Sequence, residues 1–121
     1  MNETQDLGQK GEKRAAALLE EKGYTIRHRN WRTGKLEVDI IAENDEFVVF
    51  VEVKTRTVDF LVEPRNAVNR EKQRAMMYAA DTYIKRYDIG KEGRFDIITM
   101  VWDGKTFVAD HIEDAFYSTL R

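Results

Sequence analysis

Leu36-Glu37-Val38-Asp39-Ile40-Ile41-Ala42, then Glu43-Asn44-Asp45-Glu46, then Phe47-Val48-Val49-Phe50-Val51-Glu52-Val53-Lys54, is the stretch whose reading decides the fold. Both flanking runs are rich in β-branched and aromatic residues. The polar break between them holds Asn44 and Asp45, which tolerate positive φ. This pattern predicts a tight antiparallel hairpin closed by Asn44-Asp45, with Asp39 opposite Phe50 and Glu37 opposite Glu52. Opposed residues share a face and faces alternate with period two, so Glu37, Asp39, Glu52 and Lys54 are expected on one side of the sheet. Asp39 and Glu52 become diagonal neighbours, with Cα atoms roughly 7–8 Å apart. The other side of the second strand is Phe47, Val49, Val51 and Val53, an apolar face ready to pack.

Working outward, Leu7, Gly11, Ala15, Leu18 and Leu19 recur at helical spacing and predict a helix from about Leu7 to Lys22, stopped by Gly23. Tyr24 to Trp31 alternates as a strand, and Arg56 to Pro64 reads as a loop. Asn69 is the expected N-cap of a second helix reaching about Arg86, with Glu71 in its first turn and Ala75, Met76, Ala79, Ala80 and Tyr83 as its apolar stripe. Phe95 to Trp102 and Thr106 to His111 form a second hairpin around Asp103-Gly104, and a short helix from Glu113 closes the chain. The expected fold is α/β: a mixed five-stranded sheet flanked by helices, in the order α-β-β-β-α-β-β-α, as one domain over residues 1–121.

The acids of the hairpin carry chemistry. A hard divalent ion such as Mg²⁺ or Mn²⁺ takes oxygen ligands, usually one or two carboxylates plus water and substrate phosphate. Such an ion lowers the pKa of a bound water and stabilises charge on an attacked phosphate. Asp39 and Glu52 are the expected metal ligands, and Lys54 is placed to orient the attacking water and offset developing charge. Glu12, flanked on the first helix by Gly8, Ala15 and Ala16, is a third expected metal ligand, reaching the metal or a metal-bound water, because small neighbours let a helix approach the sheet closely. Asp96 is read as structural, and Met76 and Met77 as core.

Charge is distributed rather than extreme. The net charge is −2 and the pI about 5.7, yet Arg27, Arg29, Arg32 and Lys35 follow one another without an acid, and Arg65, Arg70, Lys72 and Arg74 form a second basic group. An acidic focus between basic segments suits an enzyme that holds a metal and grips a polyanion around it, with Arg27, Arg29, Arg32, Lys72 and Arg74 as candidate nucleic-acid contacts. The chain has no cysteine, which excludes disulfides, thiolate catalysis and cysteine-based zinc sites, and His28 and His111 lack zinc-ligand spacing. No apolar run is long enough for a membrane span or signal core, and the cytoplasm is the expected compartment.

Gly8 with Gly11-Glu12, Arg29-Asn30-Trp31-Arg32, Glu37-Val38-Asp39-Ile40-Ile41-Ala42, Val48 to Arg56, Lys72-Gln73-Arg74 and Arg94-Phe95-Asp96 together resemble the YraN-like family of uncharacterised bacterial proteins. The Val48–Arg56 run is the most specific part, while Leu36 stands where that family usually has glycine. The resemblance implies a restriction-endonuclease-like, PD-(D/E)XK fold, similar to archaeal Holliday-junction resolvases. It also implies a metal-dependent endonuclease acting on DNA, including branched or damaged DNA, in which a helix-one glutamate joins the Asp…Glu-x-Lys set. A homodimer is the expected assembly for work on a two-fold junction. The competing expectation is a nucleic-acid-binding or assembly module that keeps the fold without turnover.

Overall fold

The computed structural model describes residues 3–58 and 68–120. Its elements are α1 (Glu3–Glu21), β1 (Thr25–Thr33), β2 (Leu36–Glu43), β3 (Phe47–Thr57), α2 (Arg70–Arg86), β4 (Glu92–Trp102) and β5 (Phe107–Phe116). Spatial order follows chain order, β1-β2-β3-β4-β5, with only the β3–β4 pair parallel, so the sheet is mixed as expected. The parallel pair requires a crossover, and α2 supplies it. Arg56 and Thr57 are part of β3 rather than of a loop, and Val58 follows in a turn; residues 59–64 of the expected loop, and Arg65, lie outside the described residues.

Local chemistry accounts for the helices. α1 begins four residues earlier than its apolar repeat and ends in a Schellman arrangement: Tyr24 N–H donates to Leu19 C=O and Gly23 N–H to Glu20 C=O, both at 3.0 Å. Gly23 takes φ +96°, which glycine adopts without penalty. Asn69 caps α2 as its residue type predicts, its Oδ1 accepting from Lys72 N–H at 2.8 Å. α1 packs Ala15, Ala16 and Leu19 on Ile40, Ala42, Val49, Val51 and Val53. On the other face α2 packs Met76, Met77, Ala79, Ala80 and Tyr83 on Trp31, Val38, Ile41, Val48 and Phe50.

Two expectations change. The closing helix does not form: residues 113–116 continue β5, where Phe116 pairs with Phe95 and Asp114 N–H donates to the buried Asp96. The Phe95 and Phe116 rings stack at 4.9 Å, a contact that a helix starting at Glu113 would forfeit. The central hairpin also shifts by two residues, with Glu43 opposite Val48 and Ile40 opposite Val51. Asn44 causes the shift. Its Oδ1 accepts from the N–H groups of Glu46 and Phe47, so the turn moves on by one residue, to Asp45-Glu46 between Asn44 and Phe47. A shift of two preserves which residues share a face, so Asp39 still belongs to the side of β3 that bears Glu52 by register alone.

Candidate active site at the fork of the sheet

The β2–β3 ladder stops at Ile40–Val51. Beyond it, Val38, Glu37 and Leu36 pair with β1, while Glu52 to Thr57 pair with β4. The sheet therefore opens into a fork, and Asp39 and Glu52 are the first residues past its crotch. Asp39 spans the opening: its Oδ2 accepts from the backbone N–H of Val53 at 2.9 Å.

Glu52 is the unusual residue. Its neighbours Val51 and Val53 are held by the packing of α1, so it faces the other way, toward the N-terminus of α2. It is only 4% exposed, and its Oε1 is buried without a hydrogen-bond partner. Lys54 Nζ and Lys72 Nζ each stand 3.6 Å from one of its oxygens, close enough for attraction but too far for hydrogen bonds. Burial first, and the Asp39 charge second, push the Glu52 carboxyl up to about 7 despite these two lysines. A buried carboxylate oxygen without a proton donor, beside a second carboxylate, is a group suited to a cation.

Glu12 reaches the fork from α1. Gly11 makes this possible: a Cβ there would collide with Thr55 Oγ1, so no larger residue allows this approach without a shift. Burial, then the charge of Asp39, raises the Glu12 carboxyl above its ordinary value, with Arg29 opposing and Glu37 adding to the shift. Glu12 lines two clefts. One, of about 390 Å³, includes Val53, Lys54, Thr55 and Arg56. The other, of about 570 Å³, includes Lys13, Arg29, Asn30, Arg32 and Glu37.

Glu37 is not where strict alternation puts it. Val38 and Ile41 both join the α2-side core while Ile40 and Ala42 join the α1 side, so the phase of β2 changes at Asp39. Glu37 consequently lines the Glu12 cleft rather than joining Glu52. The cause lies opposite: Asn30 of β1 has φ +52° and interrupts the β1–β2 pairing at this point. In the amide orientation that satisfies its neighbours, Asn30 Nδ2 donates to Glu12 Oε1 at 2.9 Å and to Glu37 Oε1 at 3.2 Å. Asn30 lies in the Arg29–Arg32 motif, yet the sequence alone assigns it no role. Its signal is an asparagine, a poor strand former that tolerates the left-handed region, inside a strand run.

The expected basic contacts divide. Arg29 and Arg32 line the larger cleft, with Arg32 Nε 3.5 Å from Glu37 Oε2, and Lys72 approaches Glu52; Arg74, two residues further along α2, is exposed. Arg27 stands apart, at the closed end of the hairpin. It donates to Tyr83 Oη at 2.7 Å and to Glu43 Oε1 at 3.2 Å, so its guanidinium serves the fold. Lys13, which no motif included, and Arg56, the last residue of the Val48–Arg56 run, also line the clefts. Asp96 is structural as read, fully buried between Arg94 and His111.

Among the described residues, no three acidic, histidine or cysteine side chains converge into a ready-made metal cage. Mg²⁺ needs fewer, since it keeps several waters and uses one or two carboxylates. The unpartnered Glu52 oxygen beside Asp39 meets that requirement, so these residues fit a hard dication; Glu12, turned toward Asn30, fits a contact through water.

Residues 11–100 match the Uncharacterised protein family UPF0102. Proteins bearing that family name are similar along nearly their whole length. One from Bacteroides thetaiotaomicron is 47% identical over 120 residues, 99% of both chains. Another from Parabacteroides distasonis is 44% identical over 116 residues, 96% of both chains. A third from Nitratidesulfovibrio vulgaris is 43% identical over 110 residues, 90% of this chain and 82% of that one. Motifs, family match and relatives agree, and the chain belongs to the uncharacterised protein family UPF0102, the YraN-like family that its sequence resembles.

Proposed function

We propose that this chain is a divalent-metal-dependent endonuclease that hydrolyses phosphodiester bonds in DNA, including branched or damaged DNA. The observation that carries the reading is Glu52: a buried carboxylate with an unpartnered oxygen, beside Asp39 and faced by Lys54 and Lys72 at 3.6 Å. Folding conceals such a group at a cost unless it binds something. Asp39 and Glu52 would hold the ion, and Glu12 would contact it through water. When bound, Mg²⁺ or Mn²⁺ supplies Lewis-acid charge and an acidified water. Lys54 orients the water and offsets charge on the phosphate, while Arg29, Arg32, Lys72 and Arg74 contact flanking phosphates. No helix among the described residues is long and apolar enough to cross a membrane. A cytoplasmic location, and a homodimer on two-fold junctions, belong to the same proposal.

One observation favours a second reading, a nucleic-acid-binding or assembly module: the net charge of −2 gives the chain little general attraction for DNA. Incubation with linear, nicked, flapped and four-way DNA, with and without Mn²⁺, separates the two. Metal-dependent cleavage by the wild type, abolished in Glu52→Gln, supports the enzyme. Wild-type protein that binds metal and DNA but cuts no member of the panel supports the module.

A further inference from the structure

We propose that Asn30 is the positioning residue of this site, clamping Glu12 of α1 to Glu37 of β2 and so holding the α1 acid over the fork. The inference rests on the metal-site reading above but adds a residue with no ligand role of its own. Three observations converge on it. Among the described residues, Asn30 is one of three non-glycine residues with positive φ, and the others, Asp88 and Asp114, lie in a turn and at a strand irregularity. It stands where the β1–β2 pairing is interrupted, beside Asp39. Its amide donates to Glu12 and Glu37 at 2.9 and 3.2 Å, tying together two acids that would otherwise repel.

The left-handed backbone is what aims the side chain. In regular extended conformation, residue 30 would keep the alternation of β1 and pair with Asp39, the one pair missing between Arg29–Ile40 and Trp31–Val38. With φ at +52° the strand changes phase, and the amide turns toward α1. Strain of this kind persists only where surrounding structure over-determines it, and it gathers at functional sites. An independent observation points to a ligand beside Asp39, whose charge acts on both Glu12 and Glu52: the buried, unpartnered Glu52 oxygen. The site thus has two halves, Asp39 with Glu52 as direct ligands and Asn30 with Glu37 as the support for Glu12.

Asn30→Gly tests the clamp, because glycine keeps the left-handed backbone at no steric cost while removing the amide. Three measurements on the full chain suffice: melting temperature, calorimetric Mn²⁺ affinity without DNA, and the NMR signals of the Asn30 side-chain amide. N30G folds and binds Mn²⁺ about tenfold more weakly, the scale on which outer-shell partners act. Glu12→Ala weakens Mn²⁺ similarly, and the double variant is no worse than either single one, because both remove the same support. Wild-type amide protons of Asn30 are shifted and slow to exchange without metal, and E12A returns them to free-amide behaviour. Equal Mn²⁺ affinity in N30G and wild type overturns the inference and leaves the metal-site reading standing. So does additivity of N30G with E12A. If the wild type binds no Mn²⁺ the metal-site reading fails by itself. The amide spectrum then decides, and a freely exchanging Asn30 amide, unmoved by E12A, overturns the clamp.

Discussion

Glu52, Lys54 and Arg32 make separable claims at the scale of single residues. A carboxyl whose folded pKa is about 7, against an ordinary value near 4.5, favours the folded state when protonated. Its stabilising contribution is therefore complete below about pH 4.5 and lost as pH rises through 7. Glu52→Gln removes the ionisation, so urea titrations should show no gain at pH 4.5 and a gain on the order of 2–3 kcal/mol at pH 8. Mn²⁺ should reverse the order, raising the melting temperature of the wild type but not of the glutamine variant, since an ion that binds only the folded state stabilises it. Parallel pH profiles for the two proteins would contradict the assignment. Lys54→Ala should leave Mn²⁺ affinity intact and lower single-turnover cleavage about 10²–10³-fold, the usual effect of losing one transition-state electrostatic contact. Arg32→Ala should weaken DNA binding and flatten its salt dependence, whereas Arg27→Ala should cost stability instead, because Arg27 is bonded to Tyr83 and Glu43.

α1 carries the clearest test at the scale of the element. Its two glycines, Gly8 and Gly11, look alike in sequence but have opposite surroundings. A Cβ at Gly8 meets nothing within 4 Å, whereas one at Gly11 strikes Thr55 of β3. Glycine inside a helix costs about 0.5–1 kcal/mol relative to alanine, so Gly8→Ala should stabilise by that amount. Gly11→Ala should instead destabilise by about 1–3 kcal/mol, because overpacking outweighs the propensity gain. Thr55→Ala on that background should restore most of the loss. Equal and favourable effects at both glycines in chemical denaturation would mean that α1 does not approach β3 closely, and would remove the route by which Glu12 reaches the fork.

For the whole molecule, Asp96 ties together segments remote in sequence. It accepts from Arg94 Nη2 at 2.8 Å, His111 Nε2 at 2.7 Å and Asp114 N–H at 3.0 Å, while Arg94 also donates to Tyr24 Oη and His111 Nδ1 meets Lys22 Nζ. The end of α1 is thereby joined to β4 and β5. Burial would raise the Asp96 carboxyl, but the bonds from His111, Arg94 and Asp114 outweigh it and hold the pKa below the ordinary aspartate value. The sign is opposite to that of Glu52. Stability from Asp96 is present above about pH 3.9 and lost as pH falls through the depressed folded value. Asp96→Asn should cost about 3–5 kcal/mol at pH 7, as breaking a buried charge pair does, with the deficit shrinking below pH 4. A deficit independent of pH would point to packing instead.

Much of this was legible in the chain. The alternation of Phe47 to Lys54, the asparagine cap at position 69 and the glycine stop at position 23 act over a few residues, so period, capping and turn chemistry were enough to place those elements. The same period put Glu52 opposite the apolar face of β3, and the motif around it drew Asp39, Lys54 and Glu12 into one hypothesis. What the tertiary structure decided depends on neighbours far along the chain. Asn44 reset the hairpin register through its own side chain, which left the faces unchanged. The fork, the turn of Glu37 toward Glu12 and the use of Asn30 follow from where a ladder stops, and no local pattern records that. Arg27 looked like its neighbours Arg29 and Arg32 until Tyr83 and Glu43 claimed it. Residues 113–116 became strand because β4 offered an open edge and Phe95 a ring to stack on, and such pairing free energy outweighs a short segment's helical preference.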